Sequence, residues 1–413
     1  MNIMWNDNLE NKNIKKLLQD ITLDVLIIGG GITGLSIAYH LINSRMKVGV
    51  VDRGEVGSGI TGRTTGKLSY LQGLIYQNVS FYNDKDKAIK YLKSQKDAID
   101  IVSRIIKDNN IDCDLTKVPS YTYTKERKNI RKLEKEYKFL KHENIDVVMG
   151  DKLDIDVDSV KYISVNDTYV FHPLKYLYAI KNICLKNGIE IYENTKINKV
   201  FRNGSGYKCL TDNNVIFARD VIFACHYPYF TIPFLMPLKG YLEKSYIMVT
   251  EMKDNLKISG ITEDKDNFSF RSHSDANNYL ICLGKSHNSC DLKCVSSKFK
   301  ELEMSSLLNN IKYAWTNHDI ITSDYLPYIG RLNKHLFIAT GYNKWGMTNG
   351  SIAGKVISDL VLGRDNEYVG LFNPCRDNNL GKLINTSKNI YSSIKGIIKT
   401  KLKSCCGNTI YKR

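Results

Sequence analysis

Apolar positions along this chain switch between strand-like and helix-like spacing, and the switches mark its elements. Asp24–Ile28 is a short apolar run after a polar leader and reads as a strand. Glycines follow, then Leu35, Ile37, Ala38, Leu41 and Ile42 at helical spacing, then a second strand, Val48–Val51, ending in Asp52. Strand, glycine turn, helix and strand predict a parallel pair with a right-handed crossover. Residues 84–107 and 125–143 read as charged amphipathic helices, with a strand of a different unit beginning at Tyr121–Thr124. A helix is predicted over Pro173–Asn187, closed by Gly188. Short strands follow at Ile189–Tyr192, Lys196–Arg202, Tyr207–Leu210, Val215–Ala218 and Val221–Ala224, as a small meander joined to a sheet. Further strands are predicted at Tyr246–Thr250, Phe268–Arg271, Tyr279–Leu283 and Leu336–Ala339. A turn over Gly341–Gly350 and a helix from Ser351 to Leu362 come last.

The length, 413 residues, suggests two structural units, and strand–helix units at both ends imply one domain assembled from separated segments with a second inserted. With 43% hydrophobic and 25% charged residues, wholesale disorder, collagen-like sequence and a small disulfide scaffold are excluded. The net charge of +16 favours anionic partners, or reflects a bias towards Lys, Asn and Ile. Ten scattered cysteines form no framework, the leader has no apolar core of a signal peptide, and Val25–Ile42 is too glycine-rich and short for a membrane span. A reduced, cytoplasmic protein that binds no nucleic acid is expected.

Gly29-Gly30-Gly31-Ile32-Thr33-Gly34 satisfies G-x-G-x-x-G between the predicted strand and helix. The first glycine permits the tight turn, the second lets a pyrophosphate approach the backbone, and the third allows helix and strand to pack closely. The helix N-terminus offers N–H groups to the anion, and Asp52 offers a carboxylate to a ribose. NAD and FAD both fit these features. The next segment, Gly57-Ser58-Gly59-Ile60-Thr61-Gly62-Arg63-Thr64-Thr65-Gly66-Lys67, favours FAD, since a second glycine- and threonine-rich loop can wrap the pyrophosphate and lead to a flavin.

Asp24–Lys67 resembles the opening of FAD-dependent oxidoreductases of the D-amino-acid oxidase superfamily, which includes glycine and sarcosine oxidases. Thr322-Ser323-Asp324-Tyr325-Leu326-Pro327-Tyr328-Ile329-Gly330 and Leu336-Phe337-Ile338-Ala339-Thr340-Gly341-Tyr342-Asn343-Lys344-Trp345-Gly346-Met347-Thr348 resemble its distal segment. Phe171-His172-Pro173-Leu174-Lys175-Tyr176-Leu177 and Asn343–Gly350 are similar to a bacterial subgroup that carries a C-terminal Rieske domain.

The resemblance implies an α/β fold: a Rossmann-like FAD-binding domain (20–80, 150–225 and 312–375), an inserted antiparallel α+β substrate domain (81–149 and 226–311), and a tail (376–413). It implies FAD contacts at Gly29, Gly31, Ile32, Thr33, Gly34, Asp52, Arg53, Thr65, Gly66, Lys67, Ile197, Gly341, Gly346, Met347 and Thr348. The helix after the Gly341–Gly350 turn would offer its N-terminus to charge developing on the reduced flavin. Lys67 and Trp345 are the expected residues beside the flavin, as a positive charge and a ring wall.

Two features depart from the resemblance. A Rieske centre needs two Cys and two His; the nearest set, His287, Cys290 and Cys294, has one histidine, and Cys405-Cys406 have none nearby. No metal is therefore expected. Amino-acid oxidases of the superfamily place an arginine five residues before the Asp of Asp-x-x-Pro to grip the substrate carboxylate; here that position is Asp319. Arg271 is the substitute, either as a carboxylate clamp or as a surface arginine. His40 and His172 are expected in structural roles, the latter capping a helix.

The implied reaction is hydride removal from a small amine or amino-acid-like substrate, with electrons passed to oxygen or another acceptor. An electron-transfer flavoprotein docking on a membrane or protein partner is the alternative. The tail has no acidic residue after Asp377, and Ile390, Ile394, Ile397, Ile398 and Leu402 share one helical face. It is expected to contact an anionic membrane surface weakly, to pack on the FAD domain, or to be a linker remnant.

Overall fold

β1 (Ile21–Ile28), α1 (Ile32–His40) and β2 (Val48–Val51) form the parallel crossover that the spacing predicts, with β1 three residues longer at its start. This computed structural model describes residues 2–376 except 8, 13–14, 154, 156, 228–235, 237–238, 292 and 305–306; the expected tail lies outside them, apart from Arg376. The first sheet runs in the order Lys199–Asn203, Gly206–Leu210, Val215–Phe223, β1, β2 and Glu190–Tyr192. The hairpin of Tyr328–Asn333 and Leu336–Thr340 joins through Leu336–Thr340, which runs parallel to Val215–Phe223. Val215–Ala218 and Val221–Ala224, read as two strands, are one. Its first half pairs with the meander and its second with Leu336–Thr340.

The second sheet contains β3 (Gly240–Met252) and β4 (Ile311–Thr322) at one edge. It continues through Asn278–Asn288, Ser269–Ser274, Ser259–Thr262, Ser120–Thr124, Lys161–Val165 and Val148–Gly150. The expected boundaries need correcting here. Lys161–Val165 and β4, assigned to the FAD segments, pair within this second sheet, because their partners are Ser120–Thr124 and β3. The sheet is also not wholly antiparallel: Ser259–Thr262 runs parallel to Ser120–Thr124.

The last long helix, α2 (Gly346–Val361), begins five residues earlier than Ser351. α1 and α2 both follow strands parallel to one another, so their N-termini meet at the same sheet edge, where open α/β folds bind ligands. Glycines bring them together: a Cβ on Gly350 would lie 2.8 Å from Ile32 Cγ2, and one on Gly354 would lie 2.5 Å from Ser36 Cβ.

The leader is packed into the molecule, not loose. Trp5 is fully buried, and Lys181, itself buried, reaches Asn11 Oδ1 (2.8 Å), the Lys12 carbonyl (3.0 Å) and Glu193 Oε2 (2.5 Å). At the far end, buried Arg376 grips Asp324 through two bonds of 2.6 and 2.7 Å and donates to the Leu326 and Pro327 carbonyls. Among the described residues, no helix is long and apolar enough to cross a membrane.

Candidate active site

The glycine turn after β1 has the geometry its spacing requires. Gly29 has φ +121°, and a Cβ there would sit 2.6 Å from the Ala224 carbonyl oxygen. A Cβ on Gly34 would fall 1.8 Å from the Gly29 oxygen, so that position admits only glycine. Gly31, the α1 N-cap, is different: only Thr61 Oγ1, at 3.0 Å, lies within 4 Å of a built Cβ. Backbone geometry therefore closes the turn at Gly29 and Gly34, whereas at Gly31 a Cβ would press only on one side-chain oxygen. No N-cap side chain bonds α1 and its first turn has no acid, while Thr61 Oγ1 accepts from the Ile32 N–H (3.0 Å).

Asp52 stands at the end of β2, its Oδ2 accepting from Gly30 N–H (2.7 Å) and its Oδ1 from Gly54 N–H (2.9 Å). Burial raises its carboxyl, and these two backbone donors oppose the shift. A carboxylate has about four lone-pair sites, so capacity remains for a ribose. Residues 194–195 lace onto the same corner through Asn194 N–H to Gly54 O (2.8 Å) and Thr195 N–H to Asp52 O (2.7 Å), with Ile197 buried behind. Arg53 is exposed.

The second loop is held by its carbonyls. Arg63 O accepts from Trp315 Nε1 (2.9 Å), Thr64 O from Trp5 Nε1 (2.7 Å), Thr65 O from Arg271 Nε (2.6 Å) and Gly66 O from Phe171 N–H (3.1 Å). Four consecutive peptide oxygens are thus fixed from four separate segments. The donors come from the leader, β4, Ser269–Ser274 and the segment before helix Pro173–Lys186.

The turn into α2 is stitched to β4. Asn343 N–H donates to the Ile320 carbonyl (3.1 Å), and Asn343 Oδ1 accepts from Thr322 N–H (2.8 Å) and Thr322 Oγ1 (3.2 Å). Asn343 and Lys344 are both left-handed, φ 49° and 75°, a conformation costing about 1–3 kcal/mol per non-glycine residue. Gly341, φ +76°, could not carry a Cβ, which would lie 2.5 Å from Thr322 Cγ2, whereas Gly346 has open space. Trp345 is the N-cap of α2 and contributes no side-chain cap; the first turn has no acid. Thr33 Oγ1 and Tyr342 Oη, 2.9 Å apart, join the two turns.

Residues 24–360 match the family described as DAO, FAD dependent oxidoreductase. The chain belongs to this family. It is 26% identical over 411 residues to "Putative Rieske 2Fe-2S iron-sulfur protein YhfW" of Bacillus subtilis, covering 97% of this chain and 80% of that one. It is 24% identical to the gamma-glutamylputrescine oxidoreductase of Escherichia coli, covering 84% and 85% of the two chains. The fold is similar to that of glycine oxidase from Geobacillus kaustophilus, with a TM-score of 0.74, 17% identity, and coverage of 87% of this chain and 100% of that one. The protein is thus an FAD-dependent oxidoreductase, with a mixed α/β fold of this family.

The glycine turns and Asp52 fit FAD, since no backbone atom meets a Cβ built on Gly31 or Gly346 and neither helix start carries an acid. Of the expected FAD contacts, Gly29, Gly31, Ile32, Thr33 and Gly34 form the α1 turn, and Gly341, Gly346, Met347 and Thr348 the α2 turn. Thr65, Gly66 and Lys67 lie on the pinned loop.

Two expected catalytic roles require correction. Lys67 is buried with Nζ donating to the Gly260 carbonyl (2.9 Å) and Ser269 Oγ (2.6 Å). Burial, reinforced by the Arg271 charge, lowers its ammonium to about 7. Arg271 is neither a surface arginine nor a free clamp. It is wholly buried, with donors committed to the carbonyls of Thr65, Phe171 (2.9 Å) and Ser272 (2.9 Å), and its guanidinium lies over the Trp5 ring. Both side chains tie the flavin loop to the second sheet.

His172 caps helix Pro173–Lys186, its Nδ1 accepting from Lys175 N–H at 3.2 Å. His40 differs from expectation, since its buried Nε2 has no hydrogen-bond partner. His287 is engaged with Tyr246 Oη (3.0 Å). Among the described residues, no group of three or more His, Cys, Asp or Glu could hold a metal ion.

The pattern reading named Asp319 only as a missing arginine and missed its neighbours Glu243 and Lys344. In the β3–β4 register Glu243 lies opposite Asp319, Ser245 opposite Asn317 and Ile247 opposite Trp315. Alternation puts all six on one face. Lys344 forms an ion pair with Glu243, which Tyr241 also hydrogen-bonds. The signal that could have found this group is the polar alternation Asn317-x-Asp319 within an otherwise strand-like run.

Proposed function

We propose that the protein removes a hydride from the carbon beside nitrogen in a small amine or amino-acid-like substrate, passing the electrons to oxygen or another acceptor. The observation carrying this reading is the polar strip Glu243, Ser245, Asn317 and Asp319, on the strand that is stitched to the α2 turn. A polar substrate wall thus adjoins the turn assigned to the flavin. The gamma-glutamylputrescine oxidoreductase relative and the glycine oxidase fold support nitrogen-bearing substrates.

When bound, FAD supplies the hydride acceptor. The residues that would hold it are the α1 turn at the pyrophosphate, Asp52 at the ribose, and the loop 63–67 with the α2 turn at the ring system. The N–H groups of the α2 first turn stabilise negative charge aimed at them. The pinned carbonyls of residues 63–66 point into the protein, which keeps this backbone from reorganising during the reaction. In this reading Trp345, the N-cap of α2, serves as a wall of the site. Hydride loss from a neutral amine needs no strong acid–base pair, which agrees with Lys67 and Arg271 being spent on structure.

Cys113, Cys184, Cys209 and Cys282 are buried free thiols, which supports the cytoplasm as the location. For the tail, we infer weak contact with anionic membranes from its basic, one-faced pattern. The test of the main reading is anaerobic mixing of FAD-loaded protein with amines and amino acids. Bleaching of the visible flavin band supports it, and a flavin reducible by dithionite but by no member of the panel favours the electron-transfer alternative.

A further inference from the structure

The charges on the polar strip do not balance. Glu243 is matched by Lys344 and also bonded by Tyr241, whereas among the described residues no hydrogen bond or ion pair reaches Asp319. Asp319 keeps some accessible surface, yet protein surrounds it closely enough for burial to dominate its chemistry. At such a half-buried position the carboxylate's charge is costly, and Lys344 offsets that cost only in part. A second group points the same way. Asn317, one pleat away on the same face, is 5% exposed, and its Oδ1 has no partner. A half-buried carboxylate and a buried amide oxygen, one pleat apart on one face, both lack a hydrogen-bond donor.

We propose that Asp319 and Asn317 Oδ1 receive the ammonium group of the substrate and that the Asp319 carboxylate takes one of its protons, leaving the neutral amine for hydride loss, so that the site selects amines and rejects carboxylates that lack a cation. This rests on the amine-oxidation reading and sharpens it. Where a carboxylate-gripping arginine is expected by resemblance, the chain holds the opposite charge, and the recognised group is inverted with it. An ammonium carries three N–H donors, enough for both oxygens of Asp319 or for one of them and Asn317. The Lys344–Glu243 pair would flank this receptor with no net charge, leaving the strip one negative charge to be matched by the ligand.

The test uses the FAD-loaded full chain under anaerobic conditions, with n-propylamine and propionate as matched probes. Dissociation constants are read from perturbation of the visible flavin spectrum. Propylamine is expected to bind tighter than propionate. Asp319→Asn should weaken propylamine by about 30-fold or more, the scale for removing one partner of a buried charge pair, while FAD content is retained. Asp319→Arg should reverse the preference; FAD content and melting curves show whether each variant is folded. Equal binding of the two probes by the wild type, unchanged propylamine binding by Asp319→Asn, or no binding of propylamine overturns the proposal. Asp319-dependent binding of amines that never bleach the flavin would sink the oxidation reading alone. Bleaching by amines that ignores the Asp319→Asn change would sink the receptor alone.

Discussion

Burial raises the carboxyl of Asp319 to about 6, with Lys344 pulling it down and Glu243 pushing it up. If its carboxylate receives a cation, amine binding is full above that value and falls as pH drops through it, by about tenfold per unit once the acid is protonated. Lys344 and Glu243, themselves an ion pair, are the charged groups that act on it. Dissociation constants for propylamine measured between mildly acid and mildly alkaline pH check this, and a flat profile contradicts it. Glycine substitutions separate binding from folding in the α1 turn. Gly31→Leu meets no backbone at its Cβ and requires only that Thr61 Oγ1 give way, so the variant should fold, with an unchanged circular dichroism spectrum, yet purify without FAD. Retention of full FAD would mean that Gly31 serves something else. The α1 glycines were legible from spacing alone, because one backbone shape requires them. Arg271 was not, because nothing in a strand sequence tells which carbonyls a buried guanidinium will reach.

Among the elements, the four-carbonyl clamp on residues 63–66 links parts of the chain that lie far apart in sequence. Trp5 Nε1 is one of its donors and is buried against Arg271, His172 and His273. Trp5→Phe keeps most of the packing and leaves the Thr64 carbonyl unmatched, so a loss of about 1–3 kcal/mol is expected in chemical denaturation. FAD should also be held more weakly, read by its release on dilution. An unchanged protein would show that the leader merely covers the surface. The leader was invisible in the pattern because one tryptophan among polar residues has no periodicity to read. Strand boundaries failed for a related reason. β4 carries Asn317, His318 and Asp319 inside it, and three polar residues in a row break the alternation that marks a strand.

For the whole molecule, close contact between α1 and α2 sets two helix N-termini side by side, and the second sheet brings a polar wall to them. The α/β class and the crossover were readable because local glycine chemistry dictates them. The assignment of β4 and Lys161–Val165 to the second sheet was not, since it depends on pairing between segments distant in sequence. The central claim is that this pair of turns holds an FAD that oxidises amines. The most direct measurement is anaerobic stopped-flow mixing of the FAD-loaded protein with a panel of small amines, following the visible flavin band. The account predicts rapid, saturable bleaching by at least one amine, with propionate and other simple carboxylates inert. A flavin that dithionite bleaches and no amine does would contradict it.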